Sequence, residues 1–250
     1  IDAVSQSGLA LKKNDMVNFS FNKPLPLTVG EVNDFTIDVK LDTYSDVVKS
    51  NVRDLTFEPV KRVVLEEMTG TTCPNCPQGI LAIEYMEKLF GDRFIPVSLH
   101  TYTGDPYSSS SLETYTQSLG LNAAPTGMIQ RNGYICAPMS NASGSYQFSN
   151  EADLWLDFVS AEMDVPSYIG VSVPKATFDE ETNKIKMDIE IQSALNMKGQ
   201  YLNVFPVALE DGLNNSQDNN LYGVSDPNLG DWGKGGKYGQ ASVFNIKHND

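Results

Sequence analysis

Apolar and polar residues alternate along the first part of the chain. Val17-Asn-Phe-Ser-Phe does so briefly, and Phe35-Thr-Ile-Asp-Val-Lys-Leu does so more cleanly. This is the period of a strand with one buried face. Pro24, Pro26, Gly30 and Asn33 punctuate the runs as turn formers. Residues 1–57 therefore read as a β-rich, sandwich-like segment.

The pattern changes at Val60. An apolar strand over residues 60–68 runs into Cys73-Pro-Asn-Cys76. Ile80, Leu81, Ile83, Met86, Leu89 and Phe90 then recur at helical spacing, predicting a helix from about Pro77 to Phe90 that Gly91-Asp92 ends. Phe94-Ile-Pro-Val-Ser-Leu-His reads as a second strand. A polar stretch follows, then a short helix over residues 112–119 closed by Gly120. Pro125 opens a third strand, and Asn132-Gly133 signals a two-residue hairpin turn into Tyr134-Ile-Cys136. A last helix over residues 151–163 places Leu154, Trp155, Phe158 and Val159 on one side, with Asn150 as N-cap. The order β-α-β-α-β-β-α is that of a compact α/β domain spanning residues 58–166.

From Tyr168 the alternation returns in Ile169-Gly-Val-Ser-Val and in Ile185-Lys-Met-Asp-Ile-Glu-Ile, on either side of a Glu180-Glu-Thr-Asn turn. Leu202-Asn-Val-Phe-Pro-Val-Ala-Leu is a further strand candidate. Residues 211–239, rich in Gly, Asn and Asp, read as long loops. Residues 167–250 thus form an expected β-rich, Ig-like C-terminal domain. The strand-like Ser242-Val-Phe-Asn-Ile close to its end predicts that this domain is cut short.

Candidate chemistry concentrates at the strand-to-helix junction. Two thiols at the spacing of Cys73 and Cys76 can close into a disulfide. The unpaired amides and partial positive charge of a helix start favour a thiolate there, which makes an accessible cysteine the better nucleophile. Three cysteines cannot all pair within one chain, so a disulfide framework is not the main stabiliser. Three readings of the pair stand: an exchanging disulfide, an inert structural bridge, or half of a zinc site completed by Cys136 and His100. Cys136 itself reads as a small buried hydrophobe at a strand end or as a third redox partner.

Charge narrows the partners. The formal net charge is −14, from 32 acidic and 18 basic residues, and no basic cluster exceeds Lys61-Arg62. A nucleic-acid partner needs a basic face to displace counterions, and an anionic membrane surface needs the same. Neither is expected. The chain opens at Ile1-Asp2 without the basic and apolar regions of a signal peptide. The acidic residues 211–231 lack the spacing of a calcium loop and read as solvated.

A second motif joins the first. Gly120-Leu-Asn-Ala-Ala-Pro125-Thr126-Gly-Met-Ile-Gln-Arg-Asn132-Gly133 combines a glycine, a proline–threonine pair, an apolar strand and an Asn-Gly hairpin. Together with Cys73-Pro-Asn-Cys76 it resembles the thioredoxin family over residues 59–165. The resemblance implies a thioredoxin-like fold in which Cys73 attacks a partner disulfide and Cys76 resolves the mixed disulfide. It implies a cis peptide before Pro125, facing the sulfurs, with Ala124 extended and Thr126 beside it so that an incoming peptide pairs with that backbone edge. It also places a buried carboxylate six residues ahead of the first cysteine, at Glu67. Alternation turns either Glu66 or Glu67 inward, where desolvation raises the carboxyl pKa and fits it to take the Cys76 proton. The sequence departs from the family pattern with Glu in place of Asp, with Thr72 where an aromatic is common, and with Pro-Asn between the cysteines followed by Pro77. These departures bear on the redox potential. Thr72 is expected to offer a hydrogen bond to the sulfur.

The wider layout, with Val207-Ala-Leu-Glu-Asp-Gly and the loop over residues 232–238, looks like the bacterial outer-membrane-protein-28-related family of exported lipoproteins. That likeness implies a cell-envelope location, periplasmic or at the outer membrane surface, with any lipid anchor on a cysteine upstream of Ile1. The partners expected are protein thiols and disulfides of the envelope, and no organic cofactor or metal is required. The rival expectation is a surface binding or adhesion module on a non-catalytic thioredoxin-like scaffold, because fold alone does not set function.

Overall fold

The chain is described by a computed structural model over residues 3–7, 16–41, 44–141, 144–149 and 153–248. The strands are β1 (Val32–Leu41), β2 (Tyr44–Arg53), β3 (Val63–Thr69), β4 (Phe94–His100), β5 (Thr126–Ile129), β6 (Ile135–Cys136), β7 (Ile169–Asp179), β8 (Lys184–Ser193), β9 (Leu213–Asp218) and β10 (Ser242–His248). The helices are α1 (Pro77–Phe90), α2 (Ser110–Ser118) and α3 (Trp155–Met163). The protein is mixed α/β, and its contacts divide into two compact units. One takes residues 1–59 and 168–200, the other residues 60–167 and 201–250. The expected C-terminal domain 167–250 is therefore split. Among the described residues no helix is long and apolar enough to cross a membrane.

The first unit holds two separate antiparallel hairpins, β1 with β2 and β7 with β8. In the second of them the Asp179 carboxylate accepts the N–H groups of Glu181 at 3.0 Å and Thr182 at 3.2 Å. Asn183 takes φ 55°, a conformation Asn tolerates better than most residues. The alternation yields strands here, as two-stranded ribbons whose valines stay exposed, Val47 and Val171 among them. Val17-Asn-Phe-Ser-Phe forms no strand. Alternation supplies a face, but a strand also needs a partner edge, and among the described residues no strand pairs with this segment.

The second unit is built on a four-stranded sheet in the order β4-β3-β5-β6. β3 runs parallel to β4, from Val63 opposite Phe94 to Thr69 opposite His100. It runs antiparallel to β5, from Leu65 opposite Ile129 to Met68 opposite Thr126. β3 starts at Val63 rather than Val60. Lys61 instead pairs with Glu162 at 3.4 Å and Arg62 with Asp92 at 3.9 Å.

Both sheet faces are covered. Val63 and Leu65 meet Ala82 and Met86 of α1 and Trp155, Val159 and Met163 of α3. Val97, Leu99 and Leu121 pack with Val64, Met68 and the α2 side chains Leu112 and Tyr115. A further cluster, Met139, Leu221, Leu229, Trp232, Val243 and Ile246, covers Ile80 and Leu81 of α1. Packed on two sides, α1 carries a continuous apolar stretch from Ile80 to Ile83 before its polar residues Glu84, Glu87 and Lys88 turn outward. Burying each large apolar side chain contributes about 1.5–3 kcal/mol.

The ends of the helices follow local chemistry. Pro77 opens α1, where its missing N–H costs nothing, and Gly91 at φ 58° ends it. α2 begins two residues early because the Ser109 hydroxyl accepts the Leu112 N–H at 3.2 Å. α3 begins at Trp155, with the Asp157 carboxylate accepting the Leu154 N–H at 3.3 Å. The expected cap Asn150 and the residue Glu151 lie outside the described residues.

Two expectations for the C-terminal part are corrected. Residues 202–209, a strand candidate by sequence, are irregular and exposed. β9 forms instead from the polar Leu-Asn-Asn-Ser-Gln-Asp, inside a stretch that reads as loop, because β10 supplies its antiparallel partner. The Asn132-Gly133 turn is also longer than expected. β5 ends at Ile129, and Gln130 and Arg131 take φ 53° and 51° before β6 begins at Ile135.

Candidate functional site at the cysteine turn

β3 ends at Thr69, and the chain reaches α1 through two successive turns. Cys73 N–H donates to Gly70 O at 3.1 Å, and Cys76 N–H donates to Cys73 O at 3.2 Å. Cys73 and Cys76 are joined as a disulfide with Cα atoms 5.4 Å apart. Cys76 directly precedes α1. The sequence places these sulfurs at an accessible helix tip. The structure corrects this: Cys73 is 1% exposed and Cys76 0%.

The end of β9 and the residues after it bond to the backbone of this turn. Gln217, itself 1% exposed, donates its side-chain amide to Cys73 O at 2.9 Å and to Gly70 O at 3.3 Å. Asp218 N–H donates to Thr71 O at 2.8 Å, and Asn220 N–H donates to Pro74 O at 2.7 Å. The Asn220 amide also reaches Asn75 Oδ1 at 3.4 Å. Residues 217–220 are held in turn by Asn219, whose side chain donates to Trp232 O and Tyr238 O, each at 3.0 Å. None of this is readable from a polar loop composition.

The two glutamates before the turn are both buried, where alternation leads one to expect only one inward. Glu66 is 3% exposed and Glu67 is 1%. They occupy opposite faces of β3. Glu66 accepts a bidentate pair from Arg131, with both bonds at 2.8 Å, and a short hydrogen bond from the Tyr115 hydroxyl. Burial pushes its carboxyl pKa up, but Arg131 and Tyr115 outweigh that and hold it below the usual range. Glu67 faces α1. A Cβ built on Gly79 would fall on the Glu67 carboxylate and lie 3.2 Å from the Trp155 ring. The missing side chain at Gly79, in the first turn of α1, is the space the carboxylate occupies. Glu67 is thus the carboxylate on the side of the helix that Cys76 leads into.

The remaining predicted residues fall around the same end of the sheet. The Ala124–Pro125 peptide is cis. Thr126 pairs with Met68, so Ala124 and Pro125 lie at the edge where β3 runs out toward the cysteine turn. Both are half-buried. The Thr126 hydroxyl turns onto Ala123 O. The Thr72 hydroxyl donates to Thr103 O at 3.0 Å, so its proton is not given to a sulfur.

Sequence reading named His100 for a zinc site but missed its buried partner Asp105 beside the turn. His100 Nδ1 lies 3.1 Å from Asp105 Oδ2, which also accepts the Thr71 N–H at 2.6 Å. Burial raises the Asp105 pKa, but His100 and the amides of Tyr107 and Thr71 outweigh it and hold the carboxyl low. A Cβ at Gly70 would come within 2.9 Å of Asp105 Oδ2, so a glycine is needed where this carboxylate grips the turn. His100 also lines a cavity of about 460 Å³ with Tyr107, Tyr115, Phe205 and Leu209. Cys136 lies apart from the pair. It is buried, its Sγ is 3.6 Å from Gly127 O, and burial pushes its thiol up to about 12. Among the described residues no three His, Cys, Asp or Glu side chains converge as a metal site.

No family model matches the sequence, and no curated protein matches it. Among solved structures, HBP35 of Porphyromonas gingivalis is similar at 16% identity with a TM-score of 0.38. The match covers 76% of this chain and 57% of that one. The chain spans little more than half of that protein's length, and a likeness at this level establishes neither fold nor function.

Proposed function

We propose that this chain is an exported thiol–disulfide exchange or redox-responsive protein, thioredoxin-like over residues 59–165 and acting on protein thiols and disulfides of the cell envelope. In this reading the flanking strands are Ig-like modules, and the whole is related to the outer-membrane-protein-28 lipoproteins. One observation carries it. A carboxylate, Glu67, is buried against the first turn of the helix that starts directly after a closed Cys73–Cys76 pair. Such a carboxylate is suited to move a proton on or off Cys76 as the pair opens and closes. Cys73 attacks the partner sulfur, the partner's disulfide breaks, and Cys76 then attacks Cys73 to release the reduced partner. Wild type is expected to reduce insulin disulfides with dithiothreitol as electron source, and Cys73→Ser to lose that activity. Equal turnover by the two proteins ends the proposal.

A second reading is favoured by the 1% and 0% exposure of the two cysteines. Here the pair is an inert bridge inside a surface binding module. The reduction potential separates the two: a structural bridge resistant to exchange lies below about −300 mV.

A further inference from the structure

The disulfide is buried, and the backbone of its turn is held by a specific contact set that is placed to serve as a cover. All four of the hydrogen bonds that residues 217–220 give to the turn backbone end on its carbonyls, at Gly70, Thr71, Cys73 and Pro74. None is made to a cysteine side chain, so the cover does not require the S–S bond itself. Gln217 is fully buried although polar, and its amide is shared among the carbonyls of Gly70, Cys73 and Asp218. A buried amide stays only where its donors are satisfied, so losing the turn carbonyls would expel this side chain. Asn220, at the far end of the four residues, is exposed. The cover is therefore deep at Gln217 and shallow at Asn220.

We propose that residues 217–220 form a latch over Cys73–Cys76, with Gln217 as the positioning residue that holds it shut. The inference rests on the exchange reading for its biological use, but the latch is a separate physical claim. A thiolate must approach a disulfide sulfur directly to displace the other sulfur. With the latch closed, Cys73 offers no such approach. With it lifted, a dithiol's first thiolate bonds to Cys73 Sγ and the Cys73–Cys76 bond breaks. The electron pair leaves on Cys76, which takes a proton. The dithiol's second thiolate then displaces Cys73, so the dithiol is oxidised to its disulfide and the pair is reduced by two electrons. Latch opening thereby sets how fast a partner reaches the pair.

The test measures the rate of reduction of Cys73–Cys76 by dithiothreitol in wild type, Gln217→Ala and Gln217→Glu. Each urea midpoint is measured alongside, and the unfolded chain serves as the open reference. The latch predicts that wild type is reduced far more slowly than the unfolded chain. It predicts that Gln217→Ala accelerates reduction by about tenfold or more, the scale of a lost hydrogen bond of this kind, and by more than its shift in unfolding stability accounts for. Gln217→Glu, which keeps the size but sets a carboxylate against carbonyl oxygens, is expected to accelerate as well. A wild-type rate equal to that of the unfolded chain overturns the latch. So do variants that speed reduction only in proportion to lost stability. Should the variants fail to fold, hydrogen exchange on wild type decides: the Asp218 and Asn220 amides must open more often than the β3 amides, and equal protection overturns the latch. The two claims fail separately. Variants that dithiothreitol reduces quickly but that never turn over insulin leave the latch standing and remove the exchange reading. Insulin turnover by wild type, with variants that dithiothreitol reduces no faster than their lost stability explains, does the reverse.

Discussion

The two faces of β3 carry neighbouring glutamates with opposite surroundings. On the α2 face, Glu66 is met by a guanidinium and a phenol, and its charge is answered in place. On the α1 face, Glu67 is packed where a glycine leaves room, beside Trp155 and the first helical turn after the cysteines. One carboxylate is tied to a cation and a phenol, and the other sits against the helix that follows the cysteines. Residue type and burial do not distinguish them; what faces each one does.

The largest break in this comparison is Arg131→Ala. Removing the half-exposed guanidinium leaves the buried Glu66 charge with only the Tyr115 hydroxyl, and the expected loss of stability is about 2–3 kcal/mol by urea denaturation. The pH dependence has a definite sign. In wild type the Glu66 carboxyl is held low, so its stabilisation is present above the ordinary carboxylate range and is lost as pH falls through the lowered value. In the variant only the Tyr115 hydroxyl still opposes burial, so the pKa rises from its wild-type value. The penalty should be full at neutral pH and shrink toward about pH 4 as Glu66 protonates. A penalty that does not vary with pH would show that Arg131 acts by packing.

Gly79→Ala comes next, on the other face. In an exposed helix this change gains about 1 kcal/mol. Here the new methyl meets a buried carboxylate and an indole, so a loss of about 1–3 kcal/mol is expected. A stabilised variant would mean that Glu67 has room to move.

Glu67→Gln keeps the shape and removes the titrating group. The expected result is resolution of the mixed disulfide slowed by about tenfold or more at neutral pH, measured by stopped flow with Cys73 preloaded with a thiol adduct. Arg131→Ala should leave that step nearly unaltered under conditions where it stays folded. Equal slowing by both would erase the distinction between the faces.

The smallest effect is expected at Cys136. With its thiol raised to about 12 by burial, it should resist alkylation in the native protein at pH 8. Cys136→Ala should leave reduction of the Cys73–Cys76 pair unaltered. Native labelling of Cys136, or a change in that rate, would return it to the chemistry as a third redox partner.

The central elements were legible because local pattern and tertiary role agree there. A helical apolar period opened by Pro77 and closed by Gly91 gives α1, and the apolar runs before and after it give β3 and β4. Disagreement came wherever a strand depended on a distant partner. Val17-Asn-Phe-Ser-Phe alternates and residues 202–209 are largely apolar, yet neither forms a strand among the described residues, whereas the polar β9 pairs because β10 is there to receive it. Gln217 could not be found by pattern at all, since its burial rests on carbonyls about 145 residues away in the chain.

By itself, the order of residues determined the strand–cysteine–helix junction, the placement of Glu67 ahead of it and the Pro125 stretch, because turns, caps and periodicity act over a few neighbours. Only the tertiary structure decided which glutamate faces which helix and that a C-terminal segment bonds to the backbone of the cysteine turn. Those outcomes rest on pairing between groups far apart in the chain, where the free energy comes from satisfying buried donors and charges rather than from any local preference.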